Sequence, residues 1–512
     1  MRTSWLCPLL LASLVACAAA DDEDDTDLVA EGRPVDRTPA DAFIAPPAAS
    51  PPPPASIPGA DPELACATDA DCIATTCGDA ACVLGQCTER PLAAGVPCDA
   101  AGRVCNGAGQ CTDGRRVGFE RIGGAGHQFA FGVVADPDET IVLAEGLEEA
   151  TGNDHAFVWR RDDGSFSAAR GYLSPDDTLV DLARLGSADD DDVVVSGCRA
   201  KVDAADVDAL LQRVGPEGRP AWTMRFGGSG AQCAEHVAVD ADGTLWVAGS
   251  FQGELGLAGI VSPRPASFLA RFSPTGVLRW VGVIDAPWAT VEGLEVVRGD
   301  VVVGGTFEGT LTLPGGMTPS ITAVGGADAW IARWSPTGGA RWITAVGDRG
   351  WDRLDALAAT GDTVAIAGAR DRTDGPGPDD VFVARLDAPT GAIVWTERLE
   401  PAARARATAI TVGPFGDIVA GGTFQGDLEG VFGATRAEGT DGFVVALAGR
   451  DGTPLWGHVV GGPGWQDVTG LATAGRAALV AVGSLEGHIG AATPPTAAPP
   501  SGLDGYVLRL AP

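Results

Sequence analysis

The sequence predicts an all-β protein, a seven-bladed β-propeller preceded by a small disulfide-rich module and a disordered linker. The first observation is a repeated unit in which a tryptophan is followed, 25 to 27 residues later, by a glycine. A single repeat unit of this kind is too small to bury its own apolar faces, so successive units must pack against one another. The repeat tryptophans are Trp222, Trp280, Trp342, Trp395 and Trp456, and the glycines are Gly249, Gly305, Gly368, Gly422 and Gly483.

The second observation is the pattern inside each unit. Short segments rich in Val, Ile, Phe and Trp, such as 244–251 (TLWVAGSF) and 300–307 (DVVVGGTF), lie between turns of Gly, Asp and Pro. This pattern is typical of strands, and no segment has the sustained 3.6-residue period of a helix. Four short strands per unit favour a propeller. The alternative is a β-solenoid, but the coils of a β-solenoid are usually shorter than the repeat unit of this chain.

The number of units gives the third observation. Two less regular units precede the five clear ones, one with Phe166 in the tryptophan position and one starting at Val117, so seven units fill 117–512. The last unit ends on 505–510, a strand without its hairpin partner, whereas 117–122 is a spare strand. We expect 117–122 to complete the last blade, because closing the ring removes an exposed sheet edge.

The N-terminus carries an export signal. Arg2 precedes an apolar run, 5–15, that is too short to span a bilayer, and the run ends in LVAC (14–17). These four residues resemble the lipobox of bacterial lipoproteins, which implies removal of the signal peptide 1–16 and a diacylglyceryl group on Cys17. Ala18 rather than Asp follows the cysteine, so the resemblance implies the outer membrane or cell surface. The alternative is an ordinary secretory signal cut at 18–20.

Two segments separate this signal from the repeats. Residues 17–62 are predicted to form an extended, disordered tether, because they combine an acidic run (21–25) with a proline-rich run (45–62). Residues 63–113 hold eight cysteines and few large apolar residues, which predicts a disulfide module in an exported protein. Zinc is the weaker alternative, since no CxxC pair or nearby histidine is present. The cysteines are Cys66, Cys72, Cys77, Cys82, Cys87, Cys98, Cys105 and Cys111.

Two further cysteines, Cys198 and Cys233, lie in adjacent units of the repeat region. We expect a disulfide between them if their Cα atoms come within about 7 Å. Two free buried thiols are the alternative.

Charge excludes one class of partner. The chain has 68 acidic and 35 basic residues, a net charge of -33. Such a field repels phosphate backbones, so we expect no nucleic-acid binding.

The repeats resemble known propeller families. Residues 234–253 (AEHVAVDADGTLWVAGSFQG) are similar to the bacterial SBBP-type β-propeller repeat, and 386–399 (LDAPTGAIVWTERL) resemble, more loosely, the repeat of pyrroloquinoline-quinone enzymes. The resemblance implies the propeller fold and little about function, because propellers host many unrelated activities. Quinoprotein dehydrogenases usually have eight blades and often a vicinal disulfide, whereas this chain has seven units and no Cys-Cys pair.

An aspartate precedes the aromatic strand of several units, and an arginine follows within it. These repeated carboxylates could form a cation-binding ring, but repetition position by position favours structural hydrogen bonds within each turn and to the neighbouring blade. The aspartates are Asp208, Asp328, Asp380, Asp441 and Asp504, and the arginines are Arg213, Arg333, Arg385 and Arg509.

No spacing of side chains points to catalysis. The histidines, including His236, are scattered and are expected at loops or strand ends near the surface, and we predict no catalytic residue, metal or cofactor. Loop length varies most before the aromatic strand, which is where binding is expected. The best contact candidates are Trp288, Trp351 and Trp465, with core packing as the alternative.

These observations predict a lipid-anchored cell-surface protein whose propeller is a non-enzymatic binding or scaffolding module. Its expected partners are the membrane, through the anchor, and an unidentified protein or glycan. The alternative is an exported propeller enzyme, either quinoprotein-like or glycan-active. A cluster of acidic residues converging on one mouth of the channel would favour the enzyme.

Overall fold

The computed structural model of the chain describes part of the cysteine-rich segment and most of the repeat region. The described residues are Cys72, 78–83, 86–91, 104–105, 111–112, 116–122 and 127–510, the last range with gaps at 137–138, 149–152, 163–164, 170–176, 186–191, 201–205, 217, 315–319, 374, 400–403, 433–434, 476–477 and 487–502. The predicted signal peptide, Cys17 and the tether lie outside the described residues. No helix in the described part of the chain is long and apolar enough to cross a membrane.

The cysteine-rich segment contains two short hairpins. In the first, β1 (Gly78–Val83) pairs with β2 (Gln86–Pro91), and in the second, β3 (Val104–Cys105) pairs with β4 (Cys111–Thr112). The strand β5 (Arg116–Ile122) follows and belongs to the propeller.

Each blade is an antiparallel meander of four strands. Blade 1 consists of β6 (His127–Ala135), β7 (Thr140–Glu148), β8 (Asn153–Asp162) and β9 (Ser165–Ala169). Blade 2 consists of β10 (Asp177–Arg184), β11 (Val193–Ala200), β12 (Val207–Val214) and β13 (Pro220–Phe226). Blade 3 consists of β14 (Gly230–Val239), β15 (Leu245–Glu254), β16 (Val261–Phe272) and β17 (Leu278–Ile284).

Blade 4 differs because its innermost strand is in two pieces that both pair with the second strand. It consists of β18 (Trp288–Ala289), β19 (Gly293–Val297), β20 (Asp300–Glu308), β23 (Asp328–Trp334) and β24 (Ala340–Val346), and the hairpin β21 (Thr310–Thr312) with β22 (Ser320–Thr322) is inserted after β20. Blade 5 consists of β25 (Asp352–Thr360), β26 (Thr363–Thr373), β27 (Gly375–Asp387) and β28 (Ile393–Leu399).

Blade 6 has an insertion at the same point as blade 4. It consists of β29 (Ala405–Val412), β30 (Ile418–Phe424), β33 (Asp441–Leu447) and β34 (Pro454–Val460), and its insertion comprises β31 (Asp427–Leu428), a 3₁₀ helix (Gly430–Phe432) and β32 (Thr435–Arg436). Blade 7 consists of β35 (Gly470–Ala474), β36 (Ala478–Glu486), β37 (Leu503–Leu510) and, as its outermost strand, β5.

The predicted closure of the ring is confirmed. β5 pairs antiparallel with β37, from Ile122 opposite Gly505 to Arg116 opposite Leu510. Phe119 stacks on Tyr506, and Arg121 forms an ion pair with Asp504. The N-terminal strand therefore completes the C-terminal blade and covers what would otherwise be an open sheet edge.

The first strand of each blade lies at the centre of the ring. The seven strands β6, β10, β14, β19, β25, β29 and β35 each contact the corresponding strand of the blade before and after, and β35 contacts β6. They begin on one face of the propeller, which we call the rim face, and end on the opposite face at the turn to the second strand, which we call the turn face. The apolar core lies between neighbouring blades, as in the cluster of blades 3 and 4 that includes Trp246 and Trp330.

Candidate functional site

Every innermost strand is interrupted at the same point. A β-bulge or a break leaves one residue out of the regular pairing with the second strand. Bulges re-aim a side chain and are frequent beside functional sites. We call these seven the bulge residues, and in blade order they are Phe131, Val180, Glu235, Glu292, Asp355, Thr408 and Thr469.

In two blades the bulge residue holds the ring together. The hydroxyl of Thr408 donates a hydrogen bond of 2.6 Å to the carbonyl of Val468 in blade 7. The hydroxyl of Thr469 donates to the carbonyl of Ala130 in blade 1 in the same way. An ionised carboxylate cannot make this bond because it has no proton to donate. Blades 3, 4 and 5 therefore depart from the repeat by placing three acids in consecutive bulges.

The acid of blade 5 is held by two guanidinium groups. Arg406 of blade 6 contacts both oxygens of Asp355, at 2.9 and 2.6 Å, and Arg353 donates from Nε to Oδ1 at 2.9 Å. The Asp355 side chain is only 1% exposed. This bidentate geometry is a strong interaction that fixes the position of the Asp355 side chain.

The acid of blade 3 lies beside a histidine. Glu235 accepts a hydrogen bond of 2.6 Å from the Ser250 hydroxyl, and burial raises its pKa. The adjacent His236 places Nδ1 at 3.5 Å from Oδ2 of Asp181 in blade 2. Burial opposes a charged imidazolium, but the hydrogen bond to Asp181 and the surrounding carboxylates outweigh it, so the pKa of His236 is raised.

The two acids of blade 4 also have strongly raised pKa values. Burial and the nearby charge of Asp355 raise the pKa of Glu292 to about 7. Burial and the charge of Asp181 raise the pKa of Glu295 to about 8. Strongly shifted carboxyl groups that interact across several blades are typical of functional sites. We call Asp181, Glu235, His236, Glu292, Glu295 and Asp355 the acidic throat.

A second feature lies nearer the rim face. Trp288, Trp351 and Trp465 each come four residues before the bulge residue of their blade, at the start of the innermost strand. Trp351 and Trp465 are tied by parallel bridges to Ala327 and Thr440 of the preceding blade. We call the three tryptophans the tryptophan rim, and they lie roughly 13 Å along the strand from the acidic throat.

The rim side chains differ in exposure. Trp351 is 53% exposed, and a Cβ atom on Gly326 would lie only 2.3 Å from its Nε1, so the indole covers that glycine and leaves its other side to solvent. Trp288 and Trp465 are half-buried, and Trp465 donates from Nε1 to Asp467 at 3.1 Å. Trp351 is therefore the member most accessible to a ligand.

The repeat tryptophans have a structural role. Trp342 and Trp395 donate from Nε1, each at 2.9 Å, to the carbonyls of Ala388 and Gly449 in the next blade. These tryptophans join neighbouring blades and do not form part of a ligand site. Trp222, Trp280 and Trp456 occupy the equivalent outermost strands of blades 2, 3 and 6.

The repeated aspartates and arginines also serve the fold. Asp328 accepts a backbone hydrogen bond of 2.8 Å from Val324 in the preceding turn, and Arg333 donates to the Ala388 carbonyl of the next blade at 2.8 Å. Asp380, Asp441 and Asp504 are buried at the equivalent positions of their blades. These contacts account for the repetition without a cation-binding ring.

The described cysteines form two complete pairs. Cys198 and Cys233 are joined by a disulfide with a Cα separation of 4.8 Å, which links blades 2 and 3. Cys72 and Cys87 are joined at 5.5 Å, and Cys82 is also disulfide-bonded. Cys105 and Cys111 lie opposite each other in β3 and β4, whereas Cys66, Cys77 and Cys98 lie outside the described residues.

One sequence expectation was wrong. His236 lies inside the innermost strand of blade 3 and contacts Asp181, not at a strand end near the surface. The acidic throat was missed because its members are far apart in sequence. The sequence does contain a signal for these acids. The bulge residues of blades 3–7 come 13 or 14 residues before the repeat glycine, and at this position blades 3, 4 and 5 have an acid, whereas blades 6 and 7 have a threonine.

Comparisons with known proteins support no finer assignment. No family model and no curated protein match the chain. The propeller domain of a trilobed protease from Pyrococcus furiosus is 8% identical, with a TM-score of 0.40 over 70% of this chain and 91% of that one. A polysaccharide lyase is 10% identical, with a TM-score of 0.43 over 76% and 90%. A glucose dehydrogenase is 14% identical, with a TM-score of 0.33 over 59% and 96%.

A metal centre finds no support among the residues that the structure describes, since no group of three or more His, Cys, Asp or Glu is placed to hold an ion. What the strand topology establishes is the architecture. Seven blades in a ring closed by the N-terminal strand identify the chain as a β-propeller protein.

Proposed function

We propose that this protein is an exported, lipid-anchored lipoprotein with SBBP-type repeats whose propeller binds a glycan non-enzymatically at the rim face. The observation that carries the proposal is the tryptophan rim: three blades place a tryptophan at the same point of the innermost strand, and Trp351 is 53% exposed. An exposed tryptophan on a binding surface is a typical contact anchor.

The chemistry of the channel favours a glycan. The apolar face of one pyranose ring stacks on an indole, while the hydroxyl groups of other rings of the same oligosaccharide donate hydrogen bonds to carboxylates deeper in the site. The rim supplies the indoles, and Glu235 and Glu292 supply half-buried carboxyl groups below them. A few polar groups beneath an aromatic surface are what small-ligand sites use for orientation. A folded protein partner would instead contact the outer loops of the rim face.

An enzymatic alternative is favoured by one observation. Glu292, with its pKa raised to about 7, lies near Asp355, whose side chain two arginines contact. A carboxyl group that keeps its proton near neutral pH beside an ionised one is the arrangement used for general-acid cleavage of glycosidic bonds. Glu292 would then be the acid and Asp355 the charged partner.

Replacing the exposed rim tryptophan tests the binding function. We expect Trp351→Ala to weaken retention on an oligosaccharide array by at least about tenfold, because truncation of an aromatic anchor removes most of its contact area. The matched control is Ile393→Ala, which removes a 46% exposed side chain at the other face of the same blade. Equal binding by both variants contradicts the proposal. Release of new reducing ends by the wild type, lost in Glu292→Gln, favours the enzyme.

The anchor is tested separately. We expect Cys17→Ser to move the protein from the membrane fraction to the soluble exported fraction, because acyl chains on this residue would hold the mature chain on the bilayer. Mass spectrometry of the wild-type N-terminal peptide should show a diacylglyceryl group on Cys17. A mature wild-type chain that begins after residue 17, or that fractionates like the variant, would exclude the anchor.

A further inference from the structure

A cavity opens on the turn face, at the opposite end of the innermost strands from the tryptophan rim. Its volume is about 540 Å³, and it lies between the strand ends of blades 4, 5, 6 and 7. Glu295 enters it from blade 4. The remaining lining is small, aliphatic or hydroxyl-bearing and includes Ala358, Ala359, Thr363, Thr411, Pro414 and Thr473.

Among the residues that the structure describes, the lining contains an acid and no base. Glu295 is the only ionisable side chain among them, and no arginine or lysine in the described part of the chain forms an ion pair with it. The nearest guanidinium along the chain is that of Arg298, which instead pairs with Asp362 at 3.0 Å, both largely exposed. The described lining therefore offers acceptors around one carboxyl group, and the guanidinium of Arg385 contacts this lining only through Thr363, to whose hydroxyl it donates at 3.3 Å.

Burial and the charges of neighbouring groups also affect Glu295. Burial and then the charge of Asp181 raise the pKa of Glu295 to about 8, and only His236 opposes them. Asp181 belongs to blade 2 and His236 to blade 3, so both act on Glu295 from the throat side of the cavity. A cation placed in the cavity would offset the burial and the repulsion that raise the pKa of Glu295.

We infer that this cavity is a binding site for a small organic cation of the linear diamine or polyamine class, with one ammonium group on the Glu295 carboxylate. The other donors of the ligand reach the threonine hydroxyls and the carbonyls of the 413–416 turn, and its methylene groups lie against Ala358, Ala359 and Pro414. The volume falls within the range of small-molecule sites.

Other ligand classes fit less well. An anion would meet a carboxyl group and no cation in the lining, within a chain of net charge -33. A metal ion would need several protein ligands, and among the described residues Glu295 is the only one in the lining with a carboxyl side chain. An aromatic ligand would find no aromatic side chain in the lining. This inference does not depend on glycan binding, because it concerns the other face of the propeller.

The test uses the full chain and 1,4-diaminobutane, with 1,4-butanediol as the uncharged control ligand. We expect calorimetry to detect the diamine and not the diol. Glu295→Gln should weaken diamine binding at least tenfold. The control variant is Glu397→Gln, which removes a half-buried acid with a raised pKa from the outermost strand of blade 5 and should leave binding unchanged. Ala358→Leu, which fills the cavity without changing charge, should also abolish binding.

The pH dependence gives an independent readout. The diamine must bind to ionised Glu295, whose pKa is about 8, so affinity should rise between pH 6 and pH 8. Loss of the positive charge of His236, whose pKa is raised, acts in the same direction as the pH increases. Glu295→Gln should remove most of this rise. Diol binding as tight as diamine binding, undiminished binding by Glu295→Gln, or no diamine binding at millimolar concentration would each overturn the inference.

Discussion

A chain that begins at residue 123 is expected to lose at least about 5 kcal/mol of stability relative to one that begins at residue 114. The longer chain keeps β5, which supplies the outermost strand of blade 7, and the shorter one does not. Without β5, Asp504, whose side chain is 1% exposed, loses its ion pair with Arg121. Tyr506 loses its stacking partner Phe119, and the edge of β37 is left unpaired.

Equilibrium unfolding in urea, followed by tryptophan fluorescence, measures this difference. The chain from residue 114 is the control, because it lacks the same signal, tether and cysteine-rich segment and differs only by the closing strand. It should unfold in one transition at a higher midpoint than the shorter chain. Coincident curves would mean that strand pairing between β5 and β37 does not stabilise the ring.

The architecture could be predicted because every blade repeats the same local sequence pattern. A tryptophan strand, a glycine and an aromatic strand recur with little change in spacing, so one unit suffices to interpret the others. The closing strand followed from the count, since 505–510 lacked a partner and 117–122 was spare. Both inferences rest on local periodicity, which a single sequence carries well.

The acidic throat could not be predicted from the repeat pattern. Asp181, Glu235, Glu292 and Asp355 are about one repeat apart or more, and only the ring brings them together. Their shifted ionisation arises from burial and from charges on other blades, neither of which a sequence pattern displays. The bulges that carry Glu235 and Asp355 each leave one residue out of the regular pairing, which is too small a change to alter the strand pattern.

The tryptophan rim falls between these cases. The sequence distinguished Trp288, Trp351 and Trp465 from the repeat tryptophans by their place outside the strand pattern. It did not reveal that all three precede a bulge by the same four residues, because those bulges become visible only in the pairing of strands. Position relative to the channel, not residue type, separates them from the tryptophans that join blades.

Gly391→Ala is expected to cost about 3–5 kcal/mol of unfolding free energy. Gly391 lies in the outer turn of blade 5 with φ +73°, and its Cβ would lie 2.6 Å from the indole ring of Trp342 in blade 4. Trp342 is 9% exposed and bonds to Ala388 of the same turn. The substitution therefore adds backbone strain and also displaces a tryptophan from the interface between two blades.

A matched glycine separates these two contributions. Gly361 has φ +55° in the inner turn of the same blade, and its Cβ would meet nothing within 4 Å. Gly361→Ala should therefore cost only about 1–2 kcal/mol, the strain of a left-handed residue. The excess in Gly391→Ala, measured from urea midpoints, reports how strongly the repeat tryptophan joins neighbouring blades. Equal losses in the two variants would show that the ring depends on turn geometry alone and not on this packing.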